Sequence, residues 1–279
     1  MATSRAPVDA GPPQVNLTPA GGGRRAASAA GRTAPPLLAY VLHRYDWSES
    51  SLIVELYTRA LGRVVVAAKG AKRPTSNFRP VLLPFQPLQV LLGRTPADER
   101  SEIHALRSAE WVGGAPLLPA AAMFPAYYLN ELLLKMLARE DPHARLFDAY
   151  AAALVALAAD ADEVAMLRAF ELTLLRELGW LPELGLVTVS AEPLRPEARY
   201  ALQAESGLVT HAAGLPGAAW IALETALAQG GPAALRAACL PVEPALRAAL
   251  RALLHYHLGS AALRTRQVWQ GVQRLSDIR

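Results

Sequence analysis

Cysteine is almost absent from this 279-residue chain: Cys239 stands alone. One thiol can form no intramolecular disulfide and supplies too few ligands for a Cys₄ or Cys₂His₂ zinc site. A reducing cytoplasm fits that usage. The small apolar surroundings, Leu235-Arg-Ala-Ala-Cys239-Leu, suit a buried structural thiol better than a reactive one. Long unbroken hydrophobic runs are missing too. Residues 111–130 and 206–223 carry no Asp, Glu, Lys or Arg, but Gly and Pro interrupt both, which argues against membrane-spanning helices. The first 30 residues hold Asp9, several prolines and no continuous apolar stretch, so a secretory signal is not expected.

Acidic side chains are absent from Leu56 to Ala97, a window that holds seven basic residues: Arg59, Arg63, Lys69, Lys72, Arg73, Arg79 and Arg94. The chain has only three lysines, and two of them fall in Ala68-Lys-Gly-Ala-Lys-Arg-Pro74. No carboxylate within the window neutralises these cations, which makes a polyanion the natural partner. The whole chain, with a net charge of +4 and a pI near 9.4, is only mildly basic. The local distribution carries that inference.

What is present is ample material for a core: hydrophobic residues make up 52% of the chain. Residues 1–35, rich in Ala, Gly, Pro, Ser and Thr, are expected to form a disordered tail. From 36 to 113 the pattern is short and β-like. Strands are expected at Leu37–His43, Ser51–Thr58, Gly62–Ala68, Pro87–Leu92 and Glu102–Glu110, with a tight hairpin at Leu61-Gly62-Arg63. Five short strands suit a small closed barrel, and the OB-fold is the five-stranded barrel that repeatedly serves nucleic acid. The segment after Val64-Val65-Val66 reads as a cationic loop leaving the sheet.

Beyond Gly113-Gly114 the hydrophobic period changes. Leu129, Leu132, Leu133, Met136 and Leu137 recur at helical spacing, and helices are expected over 144–159 and 162–178, the latter stopped by Gly179. Pro, Gly and β-branched residues interrupt the pattern at 181–215, with a hairpin expected over 200–210 around Gly207. Helices resume at about 216–228, 232–238 and 243–258, with a short one near 265–272. The expected class is therefore α+β: an N-terminal OB-fold β-barrel at 36–113, then a helical C-terminal domain at 114–279 with a small irregular insert.

The cationic loop is the leading candidate site. Basic side chains spaced along a loop touch successive phosphates, and each neutralised phosphate releases counterions. Arg44, Arg63, Lys69, Lys72, Arg73 and Arg79 are the expected DNA contacts, and Phe78 offers a stacking face for an unpaired base. A second basic set, Arg247, Arg251, Arg264, Arg266 and Arg274, reads first as a solvated helix face. His255 and His257 point to different faces of a helix, so no metal or other cofactor is expected. Gly62, Gly70 and Gly93 fit neither a P-loop nor a dinucleotide fingerprint. Ser48, Ser50 and Ser51 near His43 and Asp46 read as a polar turn, with Asp46 and Glu49 closing the hairpin. No paired-carboxylate motif suggests an enzyme.

The residues just named also carry a family resemblance. His43-Arg-Tyr-Asp-Trp-Ser-Glu-Ser-Ser-Leu-Ile-Val-Glu-Leu-Tyr-Thr-Arg59, Gly62-Arg63, Ala68–Pro74, Leu83-Pro-Phe-Gln-Pro-Leu88, Leu106-Arg-Ser-Ala-Glu110, Tyr127-Tyr-Leu-Asn-Glu-Leu-Leu133 and Leu167–Trp180 resemble, in order and spacing, the bacterial RecO recombination-mediator family. The resemblance implies a non-enzymatic DNA repair protein located in the cytoplasm at the nucleoid. It implies binding of single- and double-stranded DNA and annealing of complementary strands. It also implies recognition of the acidic C-terminal tail of single-stranded DNA-binding protein and, with RecR, loading of RecA. A receptor for that tail needs an apolar pocket rimmed by cations, for which Tyr128, Lys135, Arg139 and Arg176 are the expected residues. Many members place a four-cysteine zinc module where this chain has 181–215, and the absence of cysteine there places it with the subset that does without zinc. An RNA-binding OB protein and a nuclease or ligase-like enzyme with an accessory OB domain are the alternatives.

Overall fold

Strand β1 (Leu37–Asp46) opens a computed structural model that describes residues 35–93, 103–159, 162–259, 263–265 and 268. The expected tail, Arg94, Arg266, Arg274 and most of the helix expected near 265–272 lie outside those residues. β2 (Leu52–Thr58), β3 (Gly62–Ala68), β4 (Leu88–Leu92) and β5 (Ile103–Trp111) follow. They close a barrel in the order β1-β2-β3-β5-β4, antiparallel except for the β3–β5 pair. This is OB-type topology: closure leaves no sheet edge unpaired.

Alternation along the strands separates two packed faces. Ala39, Val41, Val54, Leu56, Val64 and Val66 fill the barrel interior, while Tyr40, Leu42 and Tyr57 point outward into the helical core. Tyr40 and Tyr57 meet Phe147 with ring centroids 5.5 and 5.3 Å apart, contacts worth roughly 0.5–1.5 kcal/mol each beyond burial. Barrel and helices thus share one continuous apolar junction within the compact unit Ala34–Arg279.

The β2–β3 hairpin shows why Gly62 stands where it does. Thr58 Oγ1 donates to the Gly62 carbonyl (3.0 Å) and accepts from the Leu61 amide (3.0 Å), closing the turn with Gly62 at φ +71°. A Cβ on Gly62 would lie 2.0 Å from the Asp141 carbonyl oxygen. The hairpin therefore nests against the connection between the first two helices, where the Glu140 amide donates to the Arg63 carbonyl.

The helical part comprises α1 (Met123–Met136), α2 (Ala144–Ala158), α3 (Glu163–Glu177), α4 (Gly217–Gln229), α5 (Pro232–Cys239) and α6 (Glu243–Leu258). Leu129, Leu132, Leu133, Met136 and Leu137 are all buried, as their spacing requires. Asp162 caps α3 by accepting from the Ala165 amide (2.9 Å), and Gly179 at φ +72° ends it. Cys239 is buried, and burial pushes its thiol up to about 12. Among the described residues no helix is long and apolar enough to cross a membrane, because the uncharged run 111–130 is divided between the end of β5, a loop and the start of α1.

Residues 181–216 form more than the expected hairpin. β6 (Arg199–Gln203) and β7 (Gly207–Thr210) pair around Gly207, and β8 (Leu215–Pro216) adds a third strand. The preceding loop is stitched on by ordinary hydrogen bonds. Thr188 accepts from the Leu208 amide through Oγ1 (2.7 Å) while its own amide donates to the Leu208 carbonyl (2.9 Å). Leu184, Leu194, Leu202 and Leu208 are buried beneath, and the Trp220 indole donates to the Tyr200 carbonyl (3.0 Å). Among the described residues no group of three or more His, Cys, Asp or Glu side chains is placed to hold a metal ion.

Candidate nucleic-acid interface

β1 carries one extra residue, and the site depends on it. Val41 pairs with Leu56 and His43 with Glu55, so Leu42 is a bulge with no partner across the β1–β2 ladder. Before the bulge the inward residues are Ala39 and Val41; after it, Arg44 stands opposite the inward Val54. The phase of the strand has flipped, and Arg44 is brought to the barrel mouth. Its guanidinium donates to the Leu82 carbonyl (3.0 Å). Asn130 of α1, 2% exposed, holds the bulge by donating to the Leu42 carbonyl (3.0 Å), and its own Oδ1 accepts from the Tyr150 hydroxyl (2.6 Å).

After β3 the chain runs through consecutive turns from Lys69 to Leu83. Gly70 adopts φ +72° so that the chain can fold back, and the buried Ala71 and Leu82 pin the segment to the barrel. The β1–β2 turn is clamped beside it. The Lys72 amide donates to the Ser50 carbonyl (2.9 Å), Lys72 Nζ to the Ser48 carbonyl (2.9 Å), and the Gly70 amide to Ser51 Oγ (3.3 Å). Serines expected to form a polar turn do so: the Ser51 amide donates to Ser48 Oγ (3.1 Å) and the Trp47 amide to the Ser51 carbonyl (3.3 Å). Asp46, expected to close this hairpin, stands opposite Leu52 at its last rung, and its carboxylate also pairs with Lys72.

Two clefts share the 69–73 turn as a common wall. One, of about 300 Å³, is lined by Arg44, Leu52, Ala71, Lys72, Phe78, Arg79 and Leu82. The other, of about 340 Å³, is lined by Trp47, Ser48, Ser50, Ser51, Lys69, Gly70 and Arg73. The fold thus gathers six of the seven DNA-contact residues expected from sequence around one end of the barrel. Phe78 is partly buried, its ring packed against the barrel core, which leaves it less free to stack than expected.

The seventh, Arg63, is elsewhere. It faces the helices and lies 3.4 Å from Glu55, a carboxylate only 4% exposed that also receives Arg139 at 3.5 Å. This corrects the sequence-level picture of an un-neutralised window. Arg59 forms a two-pronged pair with Asp148 (2.9 and 2.9 Å), Arg63 pairs with Glu55, and Lys72 with Asp46 (2.9 Å). Each carboxylate comes from outside the window, brought by strand pairing or helix packing. Lys69, Arg73, Arg79 and Arg44 make no ion pair with a carboxylate among the described residues. Among the described cations of the window, those left without a carboxylate partner, together with Arg44, therefore line the two clefts.

The four residues expected to receive an acidic tail do not form one cluster. Tyr128 donates to Glu171 (2.6 Å), Lys135 lies 3.1 Å from Glu131, Arg139 reaches Glu55, and Arg176 grips Glu224 through both terminal nitrogens (3.0 and 2.7 Å). Arg176 also donates to the Pro182 carbonyl, so it staples α3 to α4 and the intervening loop. The helical part offers instead an apolar groove of about 450 Å³ between α2, α3 and α5. Val155, Met166, Phe170 and Leu235 line it, with Arg236 at its side. An alanine-rich α2 and Pro232 at the start of α5 leave that space.

A five-stranded OB-type barrel with a cation-lined mouth, backed by a helical half, defines the class to which this chain belongs. Two family models match it, Recombination protein O N terminal over residues 37–115 and Recombination protein O C terminal over residues 121–267. Proteins called DNA repair protein RecO are similar along most of its length. The one from Polaromonas sp. (strain JS666) is 50% identical over 247 residues, and that from Variovorax paradoxus (strain S110) is 51% identical over 251. The one from Acidovorax ebreus (strain TPSY) is 52% identical over 256. Each alignment covers 85% of this chain and 96% of the relative. The chain belongs to the RecO family of DNA repair and recombination proteins.

Proposed function

We propose that the two clefts at the barrel mouth are the DNA-binding site, and that the protein uses them to anneal complementary strands as a recombination mediator. The observation that carries this reading is the set of four cations, Arg44, Lys69, Arg73 and Arg79, held around two adjoining clefts without a carboxylate partner among the described residues. Phosphates are the complementary ligand, and contacts to them bind either single or double strands with little regard to sequence. Annealing needs no bond chemistry: a surface that neutralises two like-charged strands raises their rate of encounter. No catalytic role is assigned to any residue.

Family membership supports the remaining roles. The protein works with RecR to load RecA onto strands coated by single-stranded DNA-binding protein, in the cytoplasm at the nucleoid. For the acidic, apolar-ended tail of that protein, the groove between α2, α3 and α5 is a better receptor than the Tyr128, Lys135, Arg139 and Arg176 set, whose polar ends already meet Glu171, Glu131, Glu55 and Glu224.

A salt titration tests the DNA site. A Lys69→Ala, Lys72→Ala, Arg73→Ala variant should bind single-stranded DNA more weakly, with a log–log salt slope shallower by about 0.7 for each phosphate no longer neutralised. Unchanged affinity and slope would refute the assignment. Competition between DNA and RNA strands of one sequence, with RNA winning, would favour the RNA-binding alternative.

A further inference from the structure

The described tryptophans divide unevenly. Trp220 is 1% exposed and its N–H meets the Tyr200 carbonyl; the Trp111 N–H donates to the Val81 carbonyl (3.2 Å). Trp180 stacks on His257 at 4.6 Å with the ring planes 8° apart. Trp47 has neither kind of partner among the described residues, and it is 56% exposed. An indole buries more apolar surface than almost any other side chain, and the fold collects that stability in full at Trp220. Trp111 is nearly as exposed as Trp47, at 54%, but its N–H is held by the Val81 carbonyl, whereas the Trp47 ring and N–H are both left open among the described residues.

Its setting is the cleft of Lys69 and Arg73. It stands on the β1–β2 turn, which is clamped through Ser48, Ser50 and Ser51 to Gly70 and Lys72. The ring is presented on a backbone already fixed, so little ordering entropy opposes a contact. Two cations and a bare aromatic face in one cleft match the chemistry of one nucleotide: phosphate for the cations, base for the ring.

We infer that Trp47 is a base-stacking platform that makes the barrel mouth prefer unpaired over paired nucleic acid. This rests on the DNA-binding reading above and extends it, since phosphate contacts alone distinguish strands poorly. In a duplex both faces of a base are covered by its neighbours, and presenting one to an indole requires unstacking. In a single strand the face is free. Trp47 thereby takes the role that sequence reasoning gave to Phe78, whose ring packs on the barrel core.

The test compares wild type, Trp47→Ala and Trp47→Phe on three probes: an oligothymidine strand, the same strand with abasic residues, and a blunt duplex. Trp47→Ala should lose about 5- to 150-fold in affinity for oligothymidine, the span measured for one stacked base. Trp47→Phe should recover much of it, and both should bind the abasic strand and the duplex as wild type does. Indole emission quenched by oligothymidine should fall in Trp47→Phe, a readout that survives if the alanine variant fails to fold. Unchanged oligothymidine affinity, or equal losses on all three probes, would overturn the inference. Because the Lys69, Lys72 and Arg73 variant is read on the same probes, failure of the stacking platform is distinguishable from failure of the DNA site itself.

Discussion

The most exacting consequence of this structure concerns Asn130, which couples the helices to the bulge that positions Arg44. Its side chain chiefly serves two groups, donating to the Leu42 carbonyl and accepting from the Tyr150 hydroxyl, with a longer contact to the Val41 carbonyl (3.5 Å). Asn130→Leu keeps the number of side-chain heavy atoms but orphans both, and Tyr150→Phe orphans only Asn130 Oδ1. The double variant leaves just the Leu42 carbonyl without a partner. Taking about 1 kcal/mol per buried orphan, the low end of the usual cost, the singles should lose about 2 and about 1 kcal/mol and the double about 1. The coupling is then about 2 kcal/mol in favour of the double variant, within the range seen for side chains in one network. The phenylalanine ring keeps its edge contacts to Tyr40 and Phe170 (centroids 5.1 and 6.3 Å from Tyr150), so packing changes little. Urea unfolding of the four proteins, followed by Trp fluorescence and circular dichroism with coincident transitions, gives the cycle. Additive losses would show that Asn130 and Tyr150 act independently and would refute the shared hydrogen bond as the link.

Gly62→Ala should destabilise the protein by about 2–5 kcal/mol, since it combines left-handed backbone with a Cβ driven onto the Asp141 carbonyl; a urea midpoint within error of wild type would contradict that packing. Glu131 predicts a pH dependence. Burial raises its pKa, but this is outweighed by hydrogen bonds from Thr265, Arg264 and Lys135, and the net pKa lies below the ordinary 4.5. A depressed carboxyl stabilises the fold above its unfolded value and loses that contribution as pH falls through the folded value. Glu131→Gln should therefore cost about 1–2 kcal/mol at pH 7, and the gap from wild type should narrow as pH drops below about 4.5. A gap that stays constant with pH would mean the carboxylate charge plays no part.

Much of the fold is legible in the chain because its signals are local. The expected strands at 51–58 and 62–68 and helices at 144–159 and 162–178 match the structure to within a residue or so, since hydrophobic period and turn chemistry act over neighbours. β1 runs on to Asp46, three residues past its expected end, because Arg44 and Tyr45 continue the ladder to β2 without apolar alternation to announce it. β8 escaped notice because two residues have no period at all. Trp47 carried a signal that could have been used, a large aromatic in a polar turn beside a basic loop, but that its indole ring and N–H have no partner among the described residues is a property of space.

By itself the sequence determined the class of fold, the placement of a basic loop after β3, and the impossibility of a cysteine-bound zinc in the insert. Those follow from composition and from interactions between residues close in the chain. Only the tertiary structure decided which cations remain open to a ligand. A window without acids is not a region without them, because Glu55, Asp46 and Asp148 arrive through strand register and helix packing to neutralise Arg63, Lys72 and Arg59. The same long-range geometry turned Arg44 to the barrel mouth through one extra residue in β1, and left Trp47 uncovered beside Lys69 and Arg73. Charge falls off with distance through space, not along the chain, so the site could be suspected from order and drawn only from the fold.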